Sequence, residues 1–310
     1  MDQTSPRVAV LIPCYNEEVA IGSVVDDFRA ALPDAAIYVY DNNSTDRTVD
    51  IAREHGAVVR SETRQGKGHV VRRMFSDVEA DIYVLVDGDA TYDAASAPEL
   101  VAKLLGDGLD MVSASRRQVS EEAYRRGHVF GNRILTGLVA LLFGARLKDM
   151  LSGYRVFSRR FVKSFPALAR GFEIETELTV HALSLRMPMA EVETPYRERQ
   201  EGSDSKLNTW RDGFRILMTI FQLVKEERPL PFFLLTGLAL VVLSLIIGSP
   251  VVAEFLRSGT VPKLPSAILA TGLMLLGFLG FTCGMILDTV THGRLEIKRL
   301  AYLRYPGPQN

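Results

Sequence analysis

The chain has 310 residues, with 36 basic and 37 acidic side chains and a formal net charge of −1. That balance gives no electrostatic case for a nucleic-acid binder, whose footprint is a basic patch or stripe. A hydrophobic share of 47% excludes intrinsic disorder. The apolar residues are unevenly spread, since two long uncharged runs follow Arg228, and this argues against a purely soluble enzyme.

Taken in chain order, residues 1–7 are short, polar and contain an acid, unlike a secretory signal peptide. Segments 8–12, 37–40, 82–86 and 111–114 are short, apolar and rich in β-branched residues, which predicts strands. Segments 18–32, 46–55, 69–78 and 97–105 between and after them have helical periodicity. The alternation predicts a parallel sheet with helices on both faces. Ligands of such sheets gather at the carboxyl ends of the strands, and polar segments 13–18, 41–46 and 87–93 stand there. Cys14 and Cys283 lie in unlike contexts, so no disulfide framework is expected and a reducing compartment fits.

Asp87-Gly88-Asp89 ends an otherwise apolar strand. Carboxylates two apart in extended chain face opposite sides unless the chain turns, and Gly88 permits a turn. Such oxygen ligands suit a hard divalent ion completed by substrate phosphates; a solvated helix-capping turn is the plainer alternative. Gln65-Gly66-Lys67-Gly68 enters a helix and can bring N–H groups and one ammonium to a phosphate, although it lacks Walker A spacing. In 41–46, Ser44 to Asp46 read as turn and helix cap, leaving Asp41 and Asn42 for a ligand.

Towards the C-terminus, Trp210, Phe214, Leu217, Phe221 and Val224 form one apolar stripe at helical spacing. The stripe suits a helix packed on the domain core or one lying among lipid headgroups, and its direct run into the apolar segments favours the second. The spans are expected over 230–253 and 264–287. Arg211, Arg215, Lys225 and Arg228 upstream and Arg294, Lys298, Arg299 and Arg304 downstream outnumber Arg257 and Lys263 in the connection, which places both flanks in the cytoplasm.

The ordered set Val10-Leu-Ile-Pro-Cys-Tyr-Asn-Glu-Glu18, Asp41-Asn-Asn-Ser-Thr-Asp46, Gly66-Lys-Gly68, Asp87-Gly-Asp89, Ser115-Arg116, Asp149-Met-Leu-Ser-Gly-Tyr-Arg155 and Gly202-Ser-Asp-Ser-Lys206 resembles the family 2 glycosyltransferases. The likeness is to the dolichol-phosphate mannose synthase type and covers roughly residues 7–228. The two spans look like the bacterial polyisoprenyl-phosphate members. The resemblance implies a GT-A (Rossmann-like) α/β domain over 1–207, a juxtamembrane helix over 208–228, a transmembrane hairpin over 229–288 and a basic tail over 289–310.

It further implies that Pro13, Tyr15 and Glu17 surround the base and ribose of a nucleotide sugar. Asp41 matches a nucleotide-contacting acid, with Asn42 where many members have a second Asp. Lys67 joins the donor site. Asp87, Gly88 and Asp89 match the diphosphate and Mg²⁺ or Mn²⁺ motif, whose third ligand position is Thr91 here. Arg199 and Lys206 resemble a second basic pair, spaced one residue wider. Arg116 matches a substrate-phosphate arginine, and Arg125, Arg126 and Arg155 are further candidates for the acceptor phosphate. His128 lies near that segment and suits a helix surface as well. Of 173, 175 and 177, Glu175 is singled out for the acceptor side. Asp89, Arg116 and Arg155 are expected to carry catalysis.

The implied reaction moves a hexose from UDP-glucose, GDP-mannose or a similar donor to an undecaprenyl or dolichyl type of polyprenyl phosphate, inverting the anomeric centre. The nucleophile is already an anion, so paired arginines matter more than a base. A polysaccharide synthase would carry a Gln-x-x-Arg-Trp motif and more spans, and neither is found. A non-catalytic membrane adaptor would not need Asp87, Asp89, Arg116 and Lys206. A homo-oligomer is left open.

Overall fold

The computed structural model describes residues 6–118, 149–169, 171, 173–197, 218, 221–222, 225 and 228–308. The chain divides into two units, Met1–Leu217 with Lys298–Asn310, and Met218–Ile297.

The first unit alternates β1 (Val8–Cys14), α1 (Ile21–Ala31), β2 (Ala36–Asp41), α2 (Thr48–Glu54), β3 (Val58–Ser61), α3 (Lys67–Asp77), β4 (Ile82–Leu85), a short 3₁₀ turn and α4 (Ala97–Gly106). It continues with β5 (Met111–Gln118), β6 (Arg155–Ser158), α5 (Arg159–Ser164), α6 (Ile174–Leu185) and β7 (Met189–Tyr196). Among the described residues the strands form one sheet in the order β3-β2-β1-β4-β6-β5-β7.

Val10, Leu11 and Ile12 of β1 and all four residues of β4 are buried, the pattern of central strands covered on both faces. The stripe Ile21, Val24, Val25 and Phe28 packs α1 into the same core. Fully burying one such side chain contributes about 1.5–3 kcal/mol. Edge strand β3 is largely exposed, which is why its signal in the sequence is faint.

The sheet is mixed rather than parallel. β6 runs antiparallel between β4 and β5. Its four residues are all buried, but they begin with an arginine, so hydropathy did not mark them as a strand. Because β1, β2, β4 and β5 share one direction, their carboxyl ends share one edge, and β6 starts there. The pairings Cys14↔Asp41 and Leu11↔Leu85 set the three polar loops side by side at that edge.

In the second unit, α7 (Pro229–Ser258) and α8 (Leu264–Leu303) have 30 and 40 residues. A rise of about 1.5 Å per residue lets each exceed the roughly 30 Å of a bilayer core. By length and composition both can cross a membrane, and their most apolar windows are only 11% and 17% buried. They approach closely at small residues. A Cβ on Gly237 would stand 2.9 Å from the Gly277 carbonyl oxygen, and Ser244 Oγ donates to the Ala270 carbonyl at 2.6 Å.

The helix α8 continues past the expected span end at 287, so much of the anticipated tail is helical. Its final turn belongs to the first unit. There Tyr302 donates to Asp110 at 2.8 Å, beside a fork from Arg160 and a hydrogen bond from Ser158. Asp110 is wholly buried, and the Arg160 guanidinium lies 4.7 Å from the Tyr302 ring centre. Of the juxtamembrane stripe, only Phe221 is described, in helical backbone with its ring against Phe232.

Candidate active site

The β1 and β2 loops are laced together. Asn16 has a left-handed φ of 52°. Its N–H donates to Ser44 Oγ at 2.9 Å, and its Oδ1 accepts the Thr45 N–H at 2.8 Å. The Glu17 N–H donates to Thr48 Oγ1 at 2.8 Å, and Glu17 itself is buried. Pro13 lies at the end of β1, and Tyr15 projects at the rim with 38% of its surface exposed.

Asp41 and Asn42 divide the work expected of them. The buried Asp41 carboxylate accepts the Asn43 and Ser44 N–H groups, which shapes its own turn. Asn42 donates to the carbonyls of Glu62 and Arg64, both at 2.8 Å, and accepts the Gly66 N–H at 2.7 Å. Its side-chain amide is thereby used to fasten the Gly66 loop, so the structure gives it a positioning place. Gly66 has φ of 131°, a conformation side chains disfavour, and it delivers Lys67 to the first turn of α3.

Lys67 is the centre of the site. Its ammonium donates to Asp87 Oδ1 at 2.5 Å and to Glu175 Oε1 at 2.6 Å, at the start of α6. Burial alone would lower the lysine pKa, but the two carboxylates outweigh it and hold the group charged. Burial raises the Glu175 pKa, partly offset by Lys67. Glu175 Oε2 is buried and accepts no hydrogen bond among the described residues.

Asp89 is buried and accepts Thr91 Oγ1–H at 2.6 Å and the Thr91 N–H at 3.3 Å. Thr91, at the expected third ligand position, therefore orients Asp89. The turn itself departs from expectation. Ala90, not Gly88, holds the left-handed φ, at 57°. Gly88 is required instead for space, because a Cβ there would lie 2.7 Å from Cys14 Sγ.

Arg116, at the outer end of β5, meets Asp149 fork to fork. Its guanidinium also lies 5.5 Å from the Tyr196 ring centre. Tyr196 bridges Tyr92 from β7, and Tyr92 Oη accepts the Gly153 N–H at 2.8 Å. A Cβ on Gly153 would run into the Asp87 carboxylate.

Arg155 corrects an expectation. It is 1% exposed and spends its guanidinium on the carbonyls of Ser152 and Met150 and on Thr179 Oγ1. It holds the 149–153 loop in place from the interior and is not presented to an acceptor. Arg125, Arg126, His128, Arg199 and Lys206 lie outside the described residues.

The structure therefore joins Lys67, Asp87 and Glu175, with Asp89 on the same loop as Asp87 and the Arg116–Asp149 pair at the outer end of β5, across β6. Asp149, Tyr196, Tyr92 and Gly153 are the members that sequence reasoning gave no role. Only the motif around Asp149 carried a signal; the tyrosines arrive through strand pairing.

A family model described as Glycosyl transferase family 2 matches residues 9–165, half of the chain. Glycosyltransferase AglJ of Haloferax volcanii is 34% identical over 238 residues, covering 76% of this chain and 78% of its own. The chain belongs to glycosyltransferase family 2. A dolichyl-phosphate hexose transferase of the same organism is 32% identical over 73% of this glycosyltransferase and 98% of its own length. Glucosyl-3-phosphoglycerate synthase of Mycobacterium tuberculosis, solved with Mn²⁺, uridine diphosphate and glucosyl-3-phosphoglycerate, aligns at TM-score 0.60 and 26% identity. That alignment covers 70% of this chain and 80% of the other. The first unit is thus a GT-A-like α/β domain with a mixed seven-stranded sheet, and two long apolar helices follow it.

The donor set suits a divalent cation. Asp87 and Asp89 offer hard carboxylate oxygens, and Asp87 Oδ1 already seats the cationic head of Lys67. Among the described residues no group of three His, Cys, Asp or Glu could hold an ion alone. Two carboxylates completed by a donor's diphosphate oxygens match Mg²⁺ or Mn²⁺, which keep few protein ligands at nucleotide sites.

Proposed function

We propose that this glycosyltransferase moves a hexose from a nucleotide sugar to the phosphate of a polyprenyl phosphate at a membrane surface, inverting the anomeric centre. The observation that carries the reading is one chain joining a glycosyltransferase site to two helices, each long and apolar enough to span a bilayer and scarcely buried. A related dolichyl-phosphate hexose transferase supports a lipid phosphate as acceptor. The solved synthase with Mn²⁺ and a uridine nucleotide supports a metal and a nucleotide donor.

In this reading Asp87 and Asp89 hold Mg²⁺ or Mn²⁺, which neutralises charge developing on the leaving diphosphate. Lys67 adds a second positive charge from the helix start beside it. Tyr15, Glu17 and Asp41 border the base and ribose, and Asn42 fixes the loop that carries Lys67. Arg116 receives the acceptor phosphate on its planar fork, released in part from Asp149. The phosphate oxygen is already ionised, so no side chain needs to remove a proton from it. Both flanks of the hairpin face the cytoplasm, where nucleotide sugars are soluble.

Membranes containing the protein are incubated with a panel of labelled UDP- and GDP-sugars and polyprenyl phosphate, with Mn²⁺, Mg²⁺ or EDTA, and the lipid is extracted. Metal-dependent label in the organic phase is expected from one donor. Label confined to water-soluble products with every donor would reject the lipid acceptor.

A further inference from the structure

Lys67 is bonded to both a metal-motif carboxylate and a second acid, with its side chain only 9% exposed. A lysine that served only to bind a diphosphate would need no buried acid from a distant helix. Glu175 comes from α6, more than a hundred residues along the chain, and its side chain is 8% exposed. Its Oε2 takes no partner among the described residues, so the carboxylate is set there chiefly by its hold on the ammonium. Burying such an acid is costly unless a cation accompanies it.

We propose that Lys67 and the divalent ion compete for Asp87, with Glu175 as the positioning residue that keeps the displaced ammonium beside the donor's diphosphate. The inference rests on the metal and nucleotide part of the function proposed above, and not on the lipid acceptor. Without an ion, Lys67 supplies the charge that offsets Asp87 and Glu175. As an ion binds Asp87 and Asp89, the ammonium lets go of Asp87 Oδ1 and stays on Glu175 Oε1. It is then poised for the diphosphate oxygens that arrive with the donor. The device disfavours ion binding before the nucleotide and favours it afterwards, because the diphosphate then takes up the charge of both cations.

The test measures Mn²⁺ binding to the full-length protein in detergent by electron paramagnetic resonance, first with Mn²⁺ alone and then with UDP or GDP present. Charges a few ångströms apart still interact appreciably at an intermediate dielectric, so removing the competitor should be visible. Lys67→Met is expected to tighten Mn²⁺ alone by about tenfold and to weaken Mn²⁺-dependent nucleotide binding by at least that factor. Glu175→Gln removes the carboxylate that keeps the displaced ammonium off Asp87 and is expected to weaken Mn²⁺ several-fold. A lysine that only binds diphosphate would leave Mn²⁺ alone unchanged in Lys67→Met, and a lysine needed only for structure would weaken both measurements; either result overturns the proposal. Should Lys67→Met fail to fold, Glu175→Gln decides by itself, and unchanged or tighter Mn²⁺ binding there refutes the competition. Wild-type protein that binds no Mn²⁺ with or without nucleotide also refutes it. No lipid enters these measurements, so the absence of a lipid product in the transfer assay would not alter what they show.

Discussion

Arg116 and Asp149 form a two-pronged ion pair, Nε to Oδ2 at 2.6 Å and Nη2 to Oδ1 at 2.9 Å, with both side chains mostly buried. The pair does two things. It aims the guanidinium, and it holds a fork that a phosphate would have to share.

Arg116→Lys keeps the charge but loses the fork. One charged hydrogen bond lost costs about 1.5–3 kcal/mol, so with the proposed polyprenyl phosphate as acceptor kcat/KM should fall roughly ten- to a hundredfold while donor binding is retained. Steady-state transfer at varied lipid phosphate checks this. An unchanged lipid dependence would remove Arg116 from the acceptor site.

Thr91 stands behind Asp89, with its hydroxyl donating at 2.6 Å. Groups that orient a metal ligand typically govern affinity by about 10–100-fold. Thr91→Val preserves the shape of the side chain and is expected to lower Mn²⁺ affinity in the presence of UDP or GDP by at least about tenfold. Titration of Mn²⁺ against nucleotide-saturated protein would show the shift, and an unaltered curve would make the hydrogen bond incidental.

A methyl group at Gly153 must displace the Asp87 carboxylate. Misplacing a reacting group by about an ångström can cost on the order of a hundredfold in rate. Gly153→Ala should therefore lower transfer by that order while unfolding at nearly the wild-type temperature. Full activity would mean that Asp87 has freedom to move without consequence.

His181 sits between Phe161 and Phe165 with Nε2 3.0 Å from Ser164 Oγ. Burial, and secondarily Lys298, pushes its pKa down to about 3. The unfolded chain takes up this proton near pH 6.5, whereas the folded domain resists until about 3. The stability linked to the neutral ring is complete above pH 6.5 and is lost as pH falls below it, by about 1.4 kcal/mol per unit. Denaturant unfolding at pH 7, 6 and 5 should show this slope, and His181→Leu should flatten it. Equal slopes would show that other groups dominate acid unfolding.

Much of the polar cluster at the carboxyl edge of the sheet was legible in the residues themselves. Alternating apolar runs set out β1, β2, β4 and β5 with their helices, and polar residues clustered at their carboxyl ends, where ligands of such sheets gather. Asp87, Asp89 and Lys67 stood in those loops. The uncharged runs after Arg228 announced α7 and α8, since helix length and hydropathy are local properties. What depended on contacts between remote segments was not legible. Arg155 looked like an anion ligand, yet the antiparallel insertion of β6 turned it inward to hold a loop. Gly88 looked like a hinge, yet the packing of Cys14 made it a matter of space. Glu175 reached Lys67 only because α6 begins beside α3, and Tyr196 reached Arg116 only through the pairing of β5 with β7. A local pattern can say what a residue is able to do; which group stands opposite it is decided by the sheet order that brings distant segments within bonding distance.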